Sequence, residues 1–147
     1  MIFCEETASA ALYSELIALS EDWESEQSCH GYRKNEASDI DGNRIFTVRE
    51  NGLLIGYLFG HNEKAKHASS VMAEGAVCFE VEELYVRPEY RSRGIGSSLF
   101  RYAEERIKDA DFIMVGTATK NYKAILHFYI EELGMDFWSA RLFKKIR

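Results

Sequence analysis

The most informative stretch of the chain is Glu82-Glu83-Leu84-Tyr85-Val86-Arg87-Pro88-Glu89-Tyr90-Arg91-Ser92-Arg93-Gly94-Ile95-Gly96. Its first part has the apolar residues of a strand, and the strand must end at Pro88 because proline cannot donate to a β-ladder. A short basic loop follows, and a helix begins at the two glycines. The sequence therefore predicts a strand, a tight loop and a helix start in close succession.

The start of this helix is a predicted binding site for an anion. The first backbone N–H groups of a helix lack partners within the helix, and the helix dipole adds about half a positive charge there. Glycine at positions 94 and 96 lets the backbone approach a bulky pyrophosphate. Arg87, Arg91 and Arg93 add positive charge in a chain whose net charge is -6. The alternative is a solvated basic loop that caps the helix.

Apolar periodicity predicts alternating strands and helices on both sides of this stretch. After it come a helix over 94–110, a strand over 112–118, a helix over 121–133 that ends at Gly134, and a last strand over 137–146. Before it come a strand over 2–5, a helix over 9–19, an acidic loop over 21–26, a short helix or loop over 27–38, a hairpin of strands 44–50 and 53–60 around Asn51-Gly52, a polar loop over 61–74 and a strand over 77–87. The order predicts an α/β fold with a mixed sheet, in which 77–86 and 112–118 are parallel neighbours with a right-handed crossover.

Length and composition limit the class of protein. A chain of 147 residues, 46% hydrophobic and 29% charged, fits one globular domain over residues 1–147. No apolar run reaches the length of a membrane span, and the N-terminus lacks the pattern of a secretion signal. Three widely spaced cysteines argue against a disulfide framework or a zinc site. We therefore expect a cytoplasmic protein with no metal and no membrane partner, and its acidic charge disfavours nucleic acid as a partner.

The segment Arg91-Ser92-Arg93-Gly94-Ile95-Gly96 resembles the R/Q-x-x-G-x-G/A signature of the GNAT family of N-acetyltransferases. The preceding Leu84-Tyr85-Val86-Arg87-Pro88 is similar to the family's entry to this loop, and residues 121–135 resemble its coenzyme-side helix. The resemblance implies the GNAT fold, in which the strands at 77–86 and 112–118 splay apart and acetyl-coenzyme A fills the gap. It is also compatible with a homodimer, since family members often pair through their last strands.

The resemblance further implies which residues contact the coenzyme. Backbone amides would hold the pyrophosphate, and those of this chain are Arg91, Ser92, Arg93, Gly94, Ile95 and Gly96. The backbone of Leu84, Tyr85 and Val86 would pair with the pantetheine arm as if it were an added strand. Asn121 would contact the coenzyme at the start of the last helix. Acetyl-coenzyme A is thus the expected co-substrate.

Acetyl transfer to an amine requires a base, because an ammonium group must lose a proton before it can attack. Strand alternation predicts that Glu80 and Glu82 share a face with Leu84 and Val86, whereas Glu83 lies on the other face. Neighbouring carboxylates raise each other's pKa, and family members often carry the base at a matching position. We expect Glu82 to be the base, with Glu80 as the second candidate. The alternative is that both line the acceptor pocket and attract a cation.

The departing thiolate needs a proton donor, and the resemblance implies a tyrosine on the last helix. Tyr129 is the candidate, and Tyr122 is a weaker one. Tyr129 lies one residue further from Asn121 than the family's tyrosine does, and Phe128 takes that place. One extra residue turns a side chain by about 100° on a regular helix, so we expect a π-bulge near residues 125–127. The alternative is that Tyr129 is a core aromatic with a satisfied hydroxyl group.

The acidic segment 21–26 is the expected acceptor site. Carboxylates around a tryptophan suit a cationic amine, through charge and through cation–π contact. The candidate residues are Glu21, Asp22, Trp23 and Glu24, and further candidates are Tyr32, Phe137 and Trp138. The pattern is similar to what aminoglycoside and polyamine acetyltransferases need. Alternatives are a solvated acidic helix end, acetylation of a protein lysine or N-terminus, and a non-catalytic module that senses acyl-coenzyme A.

Overall fold

The computed structural model describes residues 1–147, which form a mixed sheet flanked by helices. The strands are β1 (Ile2–Glu6), β2 (Arg44–Glu50), β3 (Leu53–Lys64), β4 (Val77–Val86) and β5 (Phe112–Val115). The helices are α1 (Ala10–Glu26), α2 (Ala37–Ile40), α3 (Ile95–Arg106) and α4 (Tyr122–Leu126), and α4 continues as a π-helix over His127–Glu132. None of them is both long and apolar enough to cross a membrane.

The sheet has the order β1-β2-β3-β4-β5. Neighbouring strands are antiparallel except for β4 and β5, which are parallel and joined through α3. The Asn51-Gly52 turn between β2 and β3 has positive φ at both residues, 51° and 80°, as a two-residue hairpin turn requires. The α/β class, the mixed sheet and the parallel β4–β5 pair are therefore confirmed.

Helices cover both faces of the sheet. Helix α3 packs on one face, where Leu99 and Phe100 are fully buried against β2, β3 and β4. Helices α1 and α2 pack on the other face, where Leu16 and Ile40 are fully buried. We refer to these as the α3 face and the α1 face of the sheet.

Helix α1 is longer than the sequence predicted. Ser9 caps its start by accepting the N–H of Leu12 at 3.1 Å, and the helix ends where Gln27 takes a left-handed conformation. The predicted helix ended at residue 19, and the acidic segment was expected to be a loop. Trp23 continues the apolar stripe by one turn and packs on the α1-face core, so the acidic segment is the last part of the helix.

Strand β4 contains a β-bulge that changes which side chains share a face. Val81 pairs with Gly60 and Glu83 pairs with Phe59, so Glu82 is the extra residue without a partner in β3. A Cβ atom at position 60 would collide with the backbone carbonyl of Glu80, which explains the glycine there.

The predicted alternation along β4 is therefore wrong. Leu84 and Val86 lie on the α3 face with Val81, whereas Glu83 lies on the α1 face with Glu80. The bulge shifts the alternation by one residue, because it adds a residue to one strand and none to its neighbour. As a result, Glu80 and Glu83 point to the same side of the sheet.

Strands β4 and β5 are paired over a short length only. The pairing runs from Cys78 opposite Phe112 to Val81 opposite Val115, and the strands separate beyond that point. The segment 116–118, predicted as strand, therefore contains no strand, because it has no neighbour to pair with. The sheet splays open beside residues 82–86, as the resemblance implied.

The predicted last strand over 137–146 is wrong. Residues 135–147 form no helix or strand, and β5 stays at the edge of the sheet. Leu142, Phe143 and Ile146 are 91%, 83% and 78% exposed. Apolar residues alone do not make a strand, because a strand must also find a partner for its backbone groups.

Candidate active site

A run of free backbone amides lies where β4 leads into α3. After a 3₁₀ turn over Pro88–Tyr90, the N–H of Arg91 donates to Pro88 at 3.2 Å, and the next amide that donates is that of Ser98, to Gly94 at 3.0 Å. The N–H groups of residues 92–97 between them donate no hydrogen bond within the protein. Ser92 and Gly94 have positive φ, 62° and 74°, which turns the chain tightly into the helix. We call residues 92–97 the amide loop.

The three arginines around the amide loop differ in what they contact. Arg87 donates to the carbonyl of Leu54 at 2.7 Å, so its head group is held on β3. Arg91 is paired with Glu26 at 2.7 and 3.0 Å, and its Nε donates to the carbonyl of Val86 at 2.8 Å. Arg93 lies over the ring of Tyr90 and forms no ion pair. Arg87 and Arg93 are therefore both without an anionic partner, and Arg93 is the one whose head group is not held by a backbone carbonyl.

The open edge of β4 offers backbone groups to a ligand in the splay. The N–H of Arg87 donates to Ile55 of β3 at 2.8 Å. Because hydrogen-bonded pairs alternate along antiparallel strands, Tyr85 also directs its backbone to β3, whereas Leu84 and Val86 direct theirs away from it. The residues that can pair with an added strand are thus Leu84 and the N–H of Val86. Tyr85 instead bonds Glu26 through its hydroxyl group at 2.7 Å.

Two further residues of the predicted coenzyme site are Gly96, within the amide loop, and Asn121, before α4. Gly96 packs against Phe128, whose ring would lie 3.5 Å from a Cβ at position 96. Asn121 is the residue before α4, and its exposed side chain makes no capping hydrogen bond. Its amide group is therefore free to contact a ligand.

Three carboxylates gather on β4 beside the end of the β4–β5 pairing. Glu80 is half-buried, and burial, followed by the charge of Glu82, raises its pKa. Glu82 is more exposed, with 45% of its side chain accessible, and its Oε1 lies 3.6 Å from Nδ1 of His61. The ring of His61 also lies 2.9 Å from Oδ1 of Asn43 and 2.8 Å from Oε1 of Glu63.

Glu83 is a member of this group that alternation alone missed. Its Oε1 accepts hydrogen bonds from the hydroxyls of Tyr57 and Tyr32 and from the amide of Asn35. Burial raises the pKa of Glu83 in spite of these hydrogen bonds. The sequence contains a signal for the bulge. The apolar residues Phe79 and Val81 have odd numbers, whereas Leu84 and Val86 have even numbers, so the alternation changes phase between them. Such a change of phase indicates a bulge.

The last helix contains the irregularity that the spacing of Tyr129 predicted. A π-helix runs over His127–Glu132, two residues later than the expected bulge near 125–127, and Leu133 donates to Phe128 at 3.1 Å. Gly134 follows with φ of 71°, as a glycine at a helix end does. Tyr129 packs edge-on against Phe100 and Phe128 on the α3 face.

The hydroxyl group of Tyr129 accepts and donates no hydrogen bond within the protein, so the expected alternative of a satisfied core phenol is not what the structure contains. Burial, with a smaller contribution from Cys29, raises the pKa of Tyr129 to about 12. The phenol therefore keeps its proton at neutral pH.

A cavity of about 230 Å³ lies on the α1 face beside the splay. It is bordered by a β-bridge between Cys29 and Thr119, where the backbone of His30 donates to Ala118 at 2.9 Å and that of Lys120 donates to Ser28 at 2.8 Å. The residues that line it are Trp23, Glu24, Gln27, Ser28, Cys29, Tyr32 and Lys120.

The four predicted acceptor residues do not converge. Trp23 and Glu24 line the cavity, whereas Glu21 and Asp22 are exposed and do not. Because the segment is helical, successive side chains point about 100° apart. Tyr32 lines the cavity as expected and stacks on Trp23 at 4.3 Å, but Phe137 and Trp138 do not line it.

The model of the Acetyltransferase (GNAT) family matches residues 10–135. The chain belongs to the GNAT family of acetyltransferases. It is therefore an acetyltransferase by family, and the amide loop overlaps residues 91–96, which resemble the family's signature. The search of curated proteins finds no match to this GNAT chain.

Solved structures with the same fold extend over the whole chain. An aminoglycoside acetyltransferase from an uncultured soil metagenomic sample is 17% identical, with a TM-score of 0.69 and 100% of both chains covered. Aminoglycoside N-acetyltransferase AAC(6')-Iy in complex with a bisubstrate analogue is 16% identical, with a TM-score of 0.68, and covers 100% of this chain and 99% of that one. A ribosomal-protein-alanine N-acetyltransferase from Brucella melitensis biovar Abortus 2308 is 13% identical, with a TM-score of 0.68, and covers 99% and 100%. At these identities the likeness shows the GNAT fold.

Proposed function

We propose that this GNAT acetyltransferase transfers the acetyl group of acetyl-coenzyme A to a primary amine of a small cationic molecule, of the polyamine or aminoglycoside kind. The observation that carries the proposal is the run of six free amides at residues 92–97, which follow β4 where it has no neighbour in β5. Convergent amides at a helix start suit a pyrophosphate, and a group of carboxylates suits an amine.

The two faces of the sheet separate the two reactants. The amide loop and Tyr129 lie with α3, whereas Glu80, Glu83 and the cavity lie with α1. They meet at the splay, where β4 has no neighbour after Val81. This arrangement supports direct attack, since a thioester held from the α3 face can meet an amine that enters from the α1 face.

The reaction needs a proton to leave the ammonium group and a proton to reach the sulfur. In the proposed step the amine nitrogen bonds the acetyl carbon, the carbon–sulfur bond breaks, a carboxylate takes the ammonium proton and the thiolate gains one. Glu80 and Glu82 are the candidate bases. The sequence favoured Glu82, but the raised pKa of Glu80 is the property that a base acting near neutral pH needs. Tyr129, with a free and protonated hydroxyl group, is the candidate donor to sulfur.

The acceptor side supports a small substrate better than a peptide. The Cys29–Thr119 bridge borders the cavity, and Trp23 and Glu24 offer an aromatic ring and a carboxylate within it. A cation is attracted to both groups. Lys120, which is positively charged, also lines the cavity. Where the positive charges of an acceptor fit therefore depends on the local arrangement of Lys120 and Glu24 as well as on the net charge of the protein.

Release of free coenzyme A thiol with a panel of amines tests the proposal. The panel contains polyamines, aminoglycosides, neutral amines and peptides with a free N-terminus or a lysine. We expect turnover with the small cationic amines and little with the peptides. Binding of acetyl-coenzyme A without turnover of any member would favour the sensor function, and turnover of peptides alone would favour a protein substrate.

A further inference from the structure

Glu83 is a half-buried carboxylate without a cation. Its Oε1 is 2.8 Å from the hydroxyl of Tyr57, 2.9 Å from that of Tyr32 and 2.9 Å from Nδ2 of Asn35. All three donors are neutral, and no ion pair of the protein includes Glu83. Burying a carboxylate in this way is costly unless a positive charge joins it.

The second carboxylate oxygen of Glu83 is accessible to solvent. The Oε2 atom of Glu83 has no hydrogen-bond partner, yet no side-chain oxygen or nitrogen of the protein is both buried and unsatisfied. Oε2 therefore reaches accessible space. Oε1 of the same carboxylate is held in place by three donors, so Oε2 is a preorganised acceptor for one further hydrogen-bond donor.

The position of Glu83 relates this oxygen to the acetyl transfer. Glu83 is two residues past Val81, the last residue of β4 that pairs with β5, and it lies on the same face as Glu80. Tyr32 joins it to the cavity, because the hydroxyl group of Tyr32 bonds Glu83 while its ring lines the cavity and stacks on Trp23.

We propose that Glu83 binds a second ammonium group of the acceptor, so that the enzyme prefers molecules with two or more positively charged amines. This inference rests on the proposed function and refines its substrate class. The amine that attacks must be neutral, so it cannot supply the lasting positive charge that Glu83 lacks. A second ammonium on the same molecule supplies it, and the fixed distance between the two sites selects polyamines and aminoglycosides over monoamines.

The test compares spermidine and kanamycin with the monoamine n-butylamine in the parent and in Glu83→Gln. Glutamine still offers an oxygen to the three donors but carries no charge. We expect the KM for spermidine and kanamycin to rise about tenfold or more, as loss of a charge-assisted hydrogen bond predicts, with the KM for n-butylamine and for acetyl-coenzyme A unchanged. A purely structural role would change none of these ratios.

Two further variants are compared with Glu83→Gln. Glu83→Asp keeps the charge but withdraws it by one methylene, so it is expected to prefer polyamines over n-butylamine and to shift its preference toward polyamines with a longer spacing between amines. If Glu83→Gln fails to fold, an unshifted spacing preference in Glu83→Asp would overturn the assignment. Glu104→Gln removes the same charge from an exposed position on α3 and is expected to behave as the parent. An unchanged preference in Glu83→Gln, or the same loss in Glu104→Gln, would overturn the assignment.

The failure of this inference can be told apart from failure of the proposed function. If the parent acetylates no amine, the proposed function fails, and calorimetric binding of spermidine in the presence of coenzyme A still tests Glu83. Weaker spermidine binding by Glu83→Gln would support the site. Equal binding, or no binding to the parent, would overturn it.

Discussion

The guanidinium group of Arg91 binds the carboxylate of Glu26 through two hydrogen bonds, of 2.7 and 3.0 Å. Glu26 is the last residue of α1, and Arg91 precedes the amide loop, so this pair joins the end of α1 to the predicted pyrophosphate site. Tyr85 completes the contact by donating to Glu26 and lying under the guanidinium group of Arg91. The positive charge of Arg91 thus fixes α1 before any ligand arrives.

Loss of this pair is expected to weaken the fold in a pH-dependent way. Burial alone would raise the pKa of Glu26, but hydrogen bonds from Arg91 and Tyr85 lower it. A lowered pKa means that the pair stabilises the protein above the unfolded-state value, near 4.3, and that this stability is lost as pH falls through the folded-state pKa. We expect Glu26→Gln to lower Tm by about 2–4 °C at pH 7, equivalent to about 1 kcal/mol, and by less below about pH 4.

Thermal unfolding of the parent and of Glu26→Gln between pH 3 and pH 7 measures this. Glu104→Gln serves as the control, since its carboxylate is exposed and forms no ion pair. A Tm difference that is constant over the whole range would mean that Glu26 acts through something other than its charge.

Gly96 is expected to serve the ligand and not the fold. An added Cβ would meet the ring of Phe128 at an ordinary contact distance of 3.5 Å, so the protein has room for alanine there. Alanine is also favoured over glycine within a helix by about 1 kcal/mol. We expect Gly96→Ala to unfold at the same or a higher temperature than the parent, yet to bind coenzyme A at least tenfold more weakly in calorimetry. Undiminished affinity would show that no ligand approaches the backbone at position 96.

The identity of the base can be read from pH profiles of Glu80→Gln and Glu82→Gln. The variant that lacks the base should lose about 10²-fold or more in kcat/KM at neutral pH, and less at high pH, where amines lose their protons unaided. We expect the larger loss for Glu80→Gln, because burial and Glu82 raise the pKa of Glu80. The parent should lose activity on acidification as Glu80 gains a proton. Profiles of both variants that run parallel to that of the parent would exclude both residues as the base.

Tyr129→Phe separates catalysis from packing. The hydroxyl group has no partner in the protein, so its removal should leave Tm within about 2 °C. If the phenol donates its proton to the departing sulfur, kcat should fall about 10²-fold with little change in KM for either substrate. A kcat close to that of the parent would make Tyr129 a packing residue.

Much of the fold could be predicted from the sequence because it depends on local signals. The Asn51-Gly52 turn fixed one hairpin, and Pro88 and the glycines at 94 and 96 fixed the passage from β4 to α3. The spacing of Tyr129 also predicted the π-helix, since one extra residue in a helix must be accommodated somewhere.

Features that depend on partners distant in sequence were missed. The segment 137–146 has the apolar residues of a strand but no strand to pair with, so it forms none. The bulge at Glu82 depends on Gly60 in β3, and simple alternation therefore predicts Glu80 on the face of Leu84 and Val86, whereas it lies on the face of Glu83. The charges of the acidic segment 21–26 obscure the apolar stripe that Trp23 continues, so the sequence predicts a loop where the structure has the last part of α1.

The most direct test of the account is to follow the backbone amides of the protein by NMR while coenzyme A is added. The account predicts that the amides of residues 92–97, which have no acceptor in the protein, shift most strongly, and that Gly96→Ala weakens the response. Shifts confined to other parts of the chain, with these amides unchanged at saturation, would contradict the central claim that they bind the pyrophosphate.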